Sequence, residues 1–65
     1  MTGRIRYWRQ DNKYGFIGRK GHKDVFVHVS EIPHGIIPVA GDTVEFEIIK
    51  DEYGREKAVN VAFLF

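Results

Sequence analysis

From residue 44 to residue 48 the chain alternates without a break: Val44, Phe46 and Ile48 are apolar, with Glu45 and Glu47 between them. Side chains on a strand leave opposite faces in turn, so this alternation marks a strand with one face buried. Val59, Val61 and Phe63 repeat it near the end of the chain, and Val25, Val27 and Val29 repeat it earlier. Ile17 and Ile5 supply the inward residues of two further segments, and no long window carries a helical period. The pattern predicts five strands, at about residues 3–9, 14–19, 24–29, 42–50 and 57–63. Gly21 falls in a basic turn between the second and third, and DEYGRE, with Gly54, turns the fourth into the fifth. The stretch SEIPHGIIPVAG holds Pro33, Gly35 and Pro38, which exclude a central strand. It reads as one long loop with room for a short helical turn, and Ile32 as a plug for one end of the fold.

Five short strands cannot form two packed layers. A barrel removes the open edges that a tiny sheet would expose. The expected fold is all-β, a five-stranded antiparallel Greek-key OB-fold barrel, with a small SH3-like barrel as the alternative that periodicity does not distinguish. The aliphatic phase of each strand is enough to fill such a barrel. Tyr14, Phe16, Phe26 and His28 occupy the opposite phase and are expected to face outward.

Length sharpens that expectation. With 65 residues and 7.6 kDa, the chain makes one domain, residues 1–65. A chain of this mass buries only ~60% of the surface its unfolded form exposes. The chain has no cysteine, so neither a disulfide nor a thiolate zinc site supports the fold. A reducing, cytoplasmic setting fits this composition. No apolar run is long enough for a signal peptide or a membrane span. A domain this marginal hides the large rings it can, and each ring left in water forgoes about 1.5–3 kcal/mol.

Net charge is only +1, but it is divided unevenly. Residues 1–24 carry seven Lys and Arg against Asp11 and Asp24, a net of +5. Residues 25–65 carry three against seven carboxylates, a net of −4. One basic half holding a ring-bearing face suggests a polyanionic partner. Flat rings bordered by cations suit unpaired bases, each stacking on a ring while its phosphate meets a cation, at roughly 1–3 kcal/mol per base. A broad sheet does not enter a duplex groove, so single strands are the better match.

These residues also form a familiar set. Tyr14-Gly15-Phe16-Ile17 and Val25-Phe26-Val27-His28 resemble the two ribonucleoprotein motifs of the cold-shock domain family. Gly3-Arg4-Ile5-Arg6-Tyr7-Trp8, Gly41-Asp42-Thr43-Val44-Glu45-Phe46-Glu47 and Ala58-Val59-Asn60-Val61 resemble its first and closing strands, so the likeness covers essentially the whole chain. The resemblance implies an OB-type barrel that binds single-stranded RNA or DNA and often acts as an RNA chaperone. It implies a stacking platform on Tyr7, Tyr14, Phe16, Phe26 and His28, with Arg6 and Lys13 on phosphate or bases. Strand alternation keeps Tyr7 and Trp8 from facing the same way unless a bulge intervenes, so Trp8 is expected as a half-buried flank of that site. The chain departs from the family pattern in three places. Lys13 stands where glycine is frequent, Val29 replaces a frequent stacking phenylalanine, and the shortened loop after Ser30 lacks its usual aromatic. Only Ile36 or Ile37 is placed to substitute for that ring.

Other chemistries are weaker. His22, His28 and His34 recur at six-residue intervals, but two fall in loops and no cysteine joins them. Asp24, His28 and Ser30 suggest a hydrolase triad, yet Asp24 and His28 on one strand stand ~13 Å apart. Arg55 and Lys57 could lie near the platform's edge, although their half of the chain is acidic. The expectation is a monomeric non-enzyme with no cofactor, no metal and no membrane partner. The alternatives are a protein-interaction barrel, or an amino-terminal nucleic-acid-binding domain of a longer protein.

Overall fold

A computed structural model describes residues 1–65. Its strands are β1 (Thr2–Arg9), β2 (Tyr14–Gly18), β3 (Val25–His28), β4 (Thr43–Lys50) and β5 (Glu56–Phe63), each ending within a residue of the expected position. A 3-10 turn at Val29–Glu31 follows β3, and there is no α-helix. No helix is long and apolar enough to cross a membrane. The strands close into a barrel in the order β1-β2-β3-β5-β4, the OB-type arrangement. Four pairings are antiparallel; the seam between β3 and β5 is parallel and rests on one register pair, Phe26 with Lys57. The accessible surface of 4589 Å² lies close to the roughly 4,300 Å² that a compact chain of this mass should expose.

Ile5, Ile17, Val25, Val27, Ile32, Val44, Phe46, Ala58 and Val61 form the buried core, with Trp8, Ile36, Ile48 and Phe63 half-buried against it. Two residues expected inside are not there. Val29 is exposed, because the chain leaves β3 at His28 and turns into the 3-10 segment. Val59 is only half-buried, and Ala58 takes the inward position in its place.

The cause at Val59 is a bulge. Pairing runs from Glu45 with Ala62 to Glu47 with Val59, so β5 advances one residue more than β4. Asn60 is in the left-handed region at φ 54°, which asparagine tolerates better than most residues. Its N–H donates to Glu31 Oε1 and its Nδ2 to Glu47 Oε1, each at 3.0 Å. The extra residue shifts the phase, so Ala58 and Val61 both point inward although three positions separate them.

A second bulge sets the ring-bearing face. Ile5 pairs with Ile17 but Tyr7 pairs with the next residue back, Phe16, leaving Arg6 unmatched. Ile5 can therefore point into the core while Tyr7 points out, and Trp8 turns back toward the core opposite Gly15. A Cβ at Gly15 would collide with the Tyr7 carbonyl oxygen and come within 2.8 Å of Trp8 Cε3. Only glycine lets the indole lie that close to β2.

Candidate nucleic-acid interface

On β2 the buried residues are Gly15 and Ile17, and on β3 they are Val25 and Val27. Tyr14, Phe16, Phe26 and His28 therefore share the outer face, where Tyr14 pairs with His28 and Phe16 with Phe26. The bulge at Arg6 brings Tyr7 beside them. Ring centroids stand 5.4 Å apart for Tyr7–Phe16, 5.6 Å for Tyr14–Phe26, 6.0 Å for Phe16–Phe26 and 6.1 Å for Tyr14–Phe16. Tyr14 and Phe26 are stacked, whereas the two contacts within β2 and across to β3 through Phe16 are edge-on. The four rings form one connected surface at separations typical of favourable aromatic pairs. It is open to water: Tyr7 is 43% exposed, and the other three rings are half-buried by one another and by the sheet.

His28 sits exposed at the end of this face. Its Nδ1 accepts the Ser30 N–H at 3.1 Å and lies 3.0 Å from Ser30 Oγ, capping the 3-10 turn. With Nδ1 engaged as an acceptor, the neutral ring carries its proton on Nε2, which is left as a donor. The turn thus holds the imidazole in a fixed orientation.

The flanking cations differ in their settings. Lys13 is exposed, and its backbone lies in the left-handed region at φ 60°. Its carbonyl accepts the Val29 N–H at 2.9 Å, tying the β1–β2 turn to the end of β3. Arg6 reaches Asp24 at 3.4 Å, with 60% of its side chain exposed. An exposed pair of this kind contributes at most ~1 kcal/mol, so it does little to hold the guanidinium in place. Trp8 stands apart from the connected rings, half-buried at the mouth of the barrel, with Nε1–H donating to Gln10 Oε1 at 2.8 Å. Ile36 is half-buried against the core, while Ile37 is 63% exposed.

The seam between β3 and β5 adds residues that local patterning placed only loosely. Phe16 and Phe26 form one wall of a cleft of about 490 Å³ whose other wall is Asp51, Arg55, Glu56 and Lys57. The turn before β5 is held by Asp51, whose Oδ1 accepts the N–H groups of Tyr53 at 2.8 Å and Arg55 at 3.0 Å. Its Oδ2 takes the Arg55 Nε–H at 3.0 Å, and the guanidinium lies 5.2 Å from the Tyr53 ring centre. The Arg55 N–H is the largest influence holding the Asp51 carboxyl below its ordinary value; the Tyr53 N–H and the Arg55 side chain assist, and partial desolvation opposes. Both cations therefore stand at the edge of the rings, in company with two carboxylates.

A closed OB-type barrel with clustered rings on the outer face of its second and third strands defines a class of small nucleic-acid-binding domains. The family model of the "'Cold-shock' DNA-binding domain" matches residues 1–64. The chain belongs to the cold-shock domain family, whose members generally bind nucleic acids and are in general not enzymes. It is 35% identical over 66 residues to the Cold shock-like protein CspB of Bacillus cereus, covering 98% of this chain and 100% of that one. It is 34% identical over 64 residues to the Cold shock domain-containing protein CG9705 of Drosophila melanogaster, covering 94% of this chain. The chain spans 45% of that fly protein's length. Among solved structures, drosophila Unr CSD456 superposes with a TM-score of 0.78 at 25% identity, over 97% of this chain and 26% of the other.

Proposed function

We propose that this protein binds single-stranded nucleic acid, RNA in preference to DNA, by stacking unpaired bases on Tyr7, Tyr14, Phe16, Phe26 and His28. Arg6 and Lys13 meet phosphates or base edges beside those rings, and Trp8 flanks the first of them. The observation that carries this reading is the connected, water-facing cluster of four rings on one outer face. A chain so short gains stability by burying its rings, and a clustered aromatic face left open is characteristic of a binding surface.

Holding bases on rings competes with base pairing, so the protein acts as an RNA chaperone that destabilises secondary structure without ATP. It works as a monomer in the cytoplasm. Titration with oligouridine or oligothymidine at low salt should quench Trp8 fluorescence at micromolar protein, with weaker binding as salt rises. A duplex of the same length should bind more weakly. An RNA hairpin carrying a fluorophore and a quencher should open on adding protein alone. No response to any single strand at low salt ends this reading.

A further inference from the structure

The outer face does not stop at the rings. Phe16 and Gly18 share it on β2, about 7 Å apart along the strand. Gly18 pairs with Arg4 on β1 as Phe16 pairs with Tyr7. Beyond the last ring the surface opens into a trough of about 890 Å³, floored by Gly3 and Gly18 and lined by the cations Arg4, Arg6, Arg19 and Lys20, with His22 at the turn. No carboxylate lines it. Asp24 lies against Arg6 at 3.4 Å, and neighbouring Asp42 turns its Oδ2 to the Val39 N–H at 3.0 Å.

Two features show that this trough is more than scattered surface charge. Gly18 leaves room for Arg6: a Cβ there would stand 2.6 Å from Arg6 Nη2 and 3.0 Å from Arg6 Nε, so the guanidinium would have to lift off the strand. The Arg6 guanidinium lies flat across the bare backbone at the junction between rings and trough. Arg19 is the second feature. Its Nε is buried with no hydrogen-bond partner, and its Nη1 meets only the Met1 thioether at 3.4 Å. A guanidinium carries five N–H donors, and sulfur is a poor acceptor for them. Phosphate oxygens are the acceptors that the Nη groups of such a fork fit best, the enclosed Nε being out of their reach.

We infer that the trough is a phosphate-binding extension of the stacking face, in which Arg4, Arg19 and Lys20 hold the backbone of a single strand after its bases leave Tyr7. The occupant is the same strand that lies on the rings. The inference therefore rests on the proposed function, and it deepens it by assigning a second, base-independent segment to the interface. Binding in the trough reads no sequence, since it engages phosphate alone. Long unpaired strands are thereby favoured over short ones whatever their bases.

The test compares a four-nucleotide and a ten-nucleotide oligothymidine on the unaltered protein, on Arg19→Gln/Lys20→Gln and on Arg19→Lys/Lys20→Arg. Lys20→Glu alone, at an exposed turn position, serves if the double variant fails to fold. The tetramer should bind the unaltered protein and the glutamine variant equally, because it is held by the rings. The decamer should lose two phosphate contacts in the glutamine variant. Its slope of log K against log salt should fall by ~1.4, a loss of ~25-fold at 0.1 M salt relative to 1 M. The charge-preserving variant should retain most of the gain. The extra registers open to a longer strand are the same for every variant and cancel in the comparison. Equal decamer binding by the unaltered and glutamine proteins, or no added salt dependence for the decamer over the tetramer, overturns the trough and leaves the ring platform standing. Failure of the tetramer and decamer alike on the unaltered protein removes the platform, and the trough with it.

Discussion

Replacing Lys13 with glycine should make the protein more stable and a weaker binder. The Lys13 backbone lies at φ 60°, where an L-residue is held at a cost of roughly 1–2 kcal/mol that glycine escapes. Glycine also loosens the unfolded chain, which takes back about 0.4–1 kcal/mol. Lys13→Ala gives the reference, since it removes the charge and keeps the strained geometry. Lys13→Gly should therefore exceed Lys13→Ala by about 1 kcal/mol. For a domain of this length 1 kcal/mol corresponds to ~7 °C in Tm, which circular-dichroism melts resolve easily. Both variants lose the same cation, so both should lower the salt slope for single-strand binding by ~0.7. A Lys13→Ala protein as stable as Lys13→Gly would refute the reasoning, because no left-handed strain would then reside in the turn. Strain retained beside a binding face is a common trade of stability for function.

Other expectations follow from the same geometry. Phe16→Ala or Phe26→Ala should weaken oligonucleotide binding by ~1–3 kcal/mol while the protein stays folded; unfolding in either case would make that ring a core residue. The Asp51 carboxyl is held below its ordinary value, chiefly by the Arg55 N–H. Its stabilising contribution is thus complete above the unfolded-state pKa near 3.9 and is lost as pH falls through the lower folded-state value. The stability difference between the unaltered protein and Asp51→Asn should hold constant above about pH 5 and shrink on further acidification, as read by urea unfolding. A difference that instead grew toward low pH would contradict that sign.

Much of this was legible along the chain. β4 announced itself because Val44, Phe46 and Ile48 alternate with two glutamates, and the rings of β2 and β3 followed as the phase the core did not need. The errors share a cause. Periodicity places Val59 inward because it counts residues on one strand, whereas the surplus of Asn60 exists only relative to its partner strand. The same pattern places Val29 in β3 because a valine does not reveal that His28 will cap a turn. Arg55 and Lys57 join the edge of the rings through the parallel seam, a pairing between segments about thirty residues apart that no local pattern encodes. Along the chain the trough is only a basic turn, because the approach of the Arg6 side chain to Gly18 exists in three dimensions alone.

Arg6, the unmatched residue of β1, also decides which of two adjacent rings faces outward. Were Arg6 paired in the ladder like its neighbours, strict alternation would send Tyr7 to the interior and swing the indole of Trp8 out to solvent. A phenol and an indole compete for one seat, and the backbone rather than either ring settles the contest. Deleting that residue would leave Tyr7 outward opposite Phe16, whereas drawing it into a regular ladder would exchange the two, giving the protein a larger outward ring and a tyrosine hydroxyl that its apolar interior has no means to satisfy.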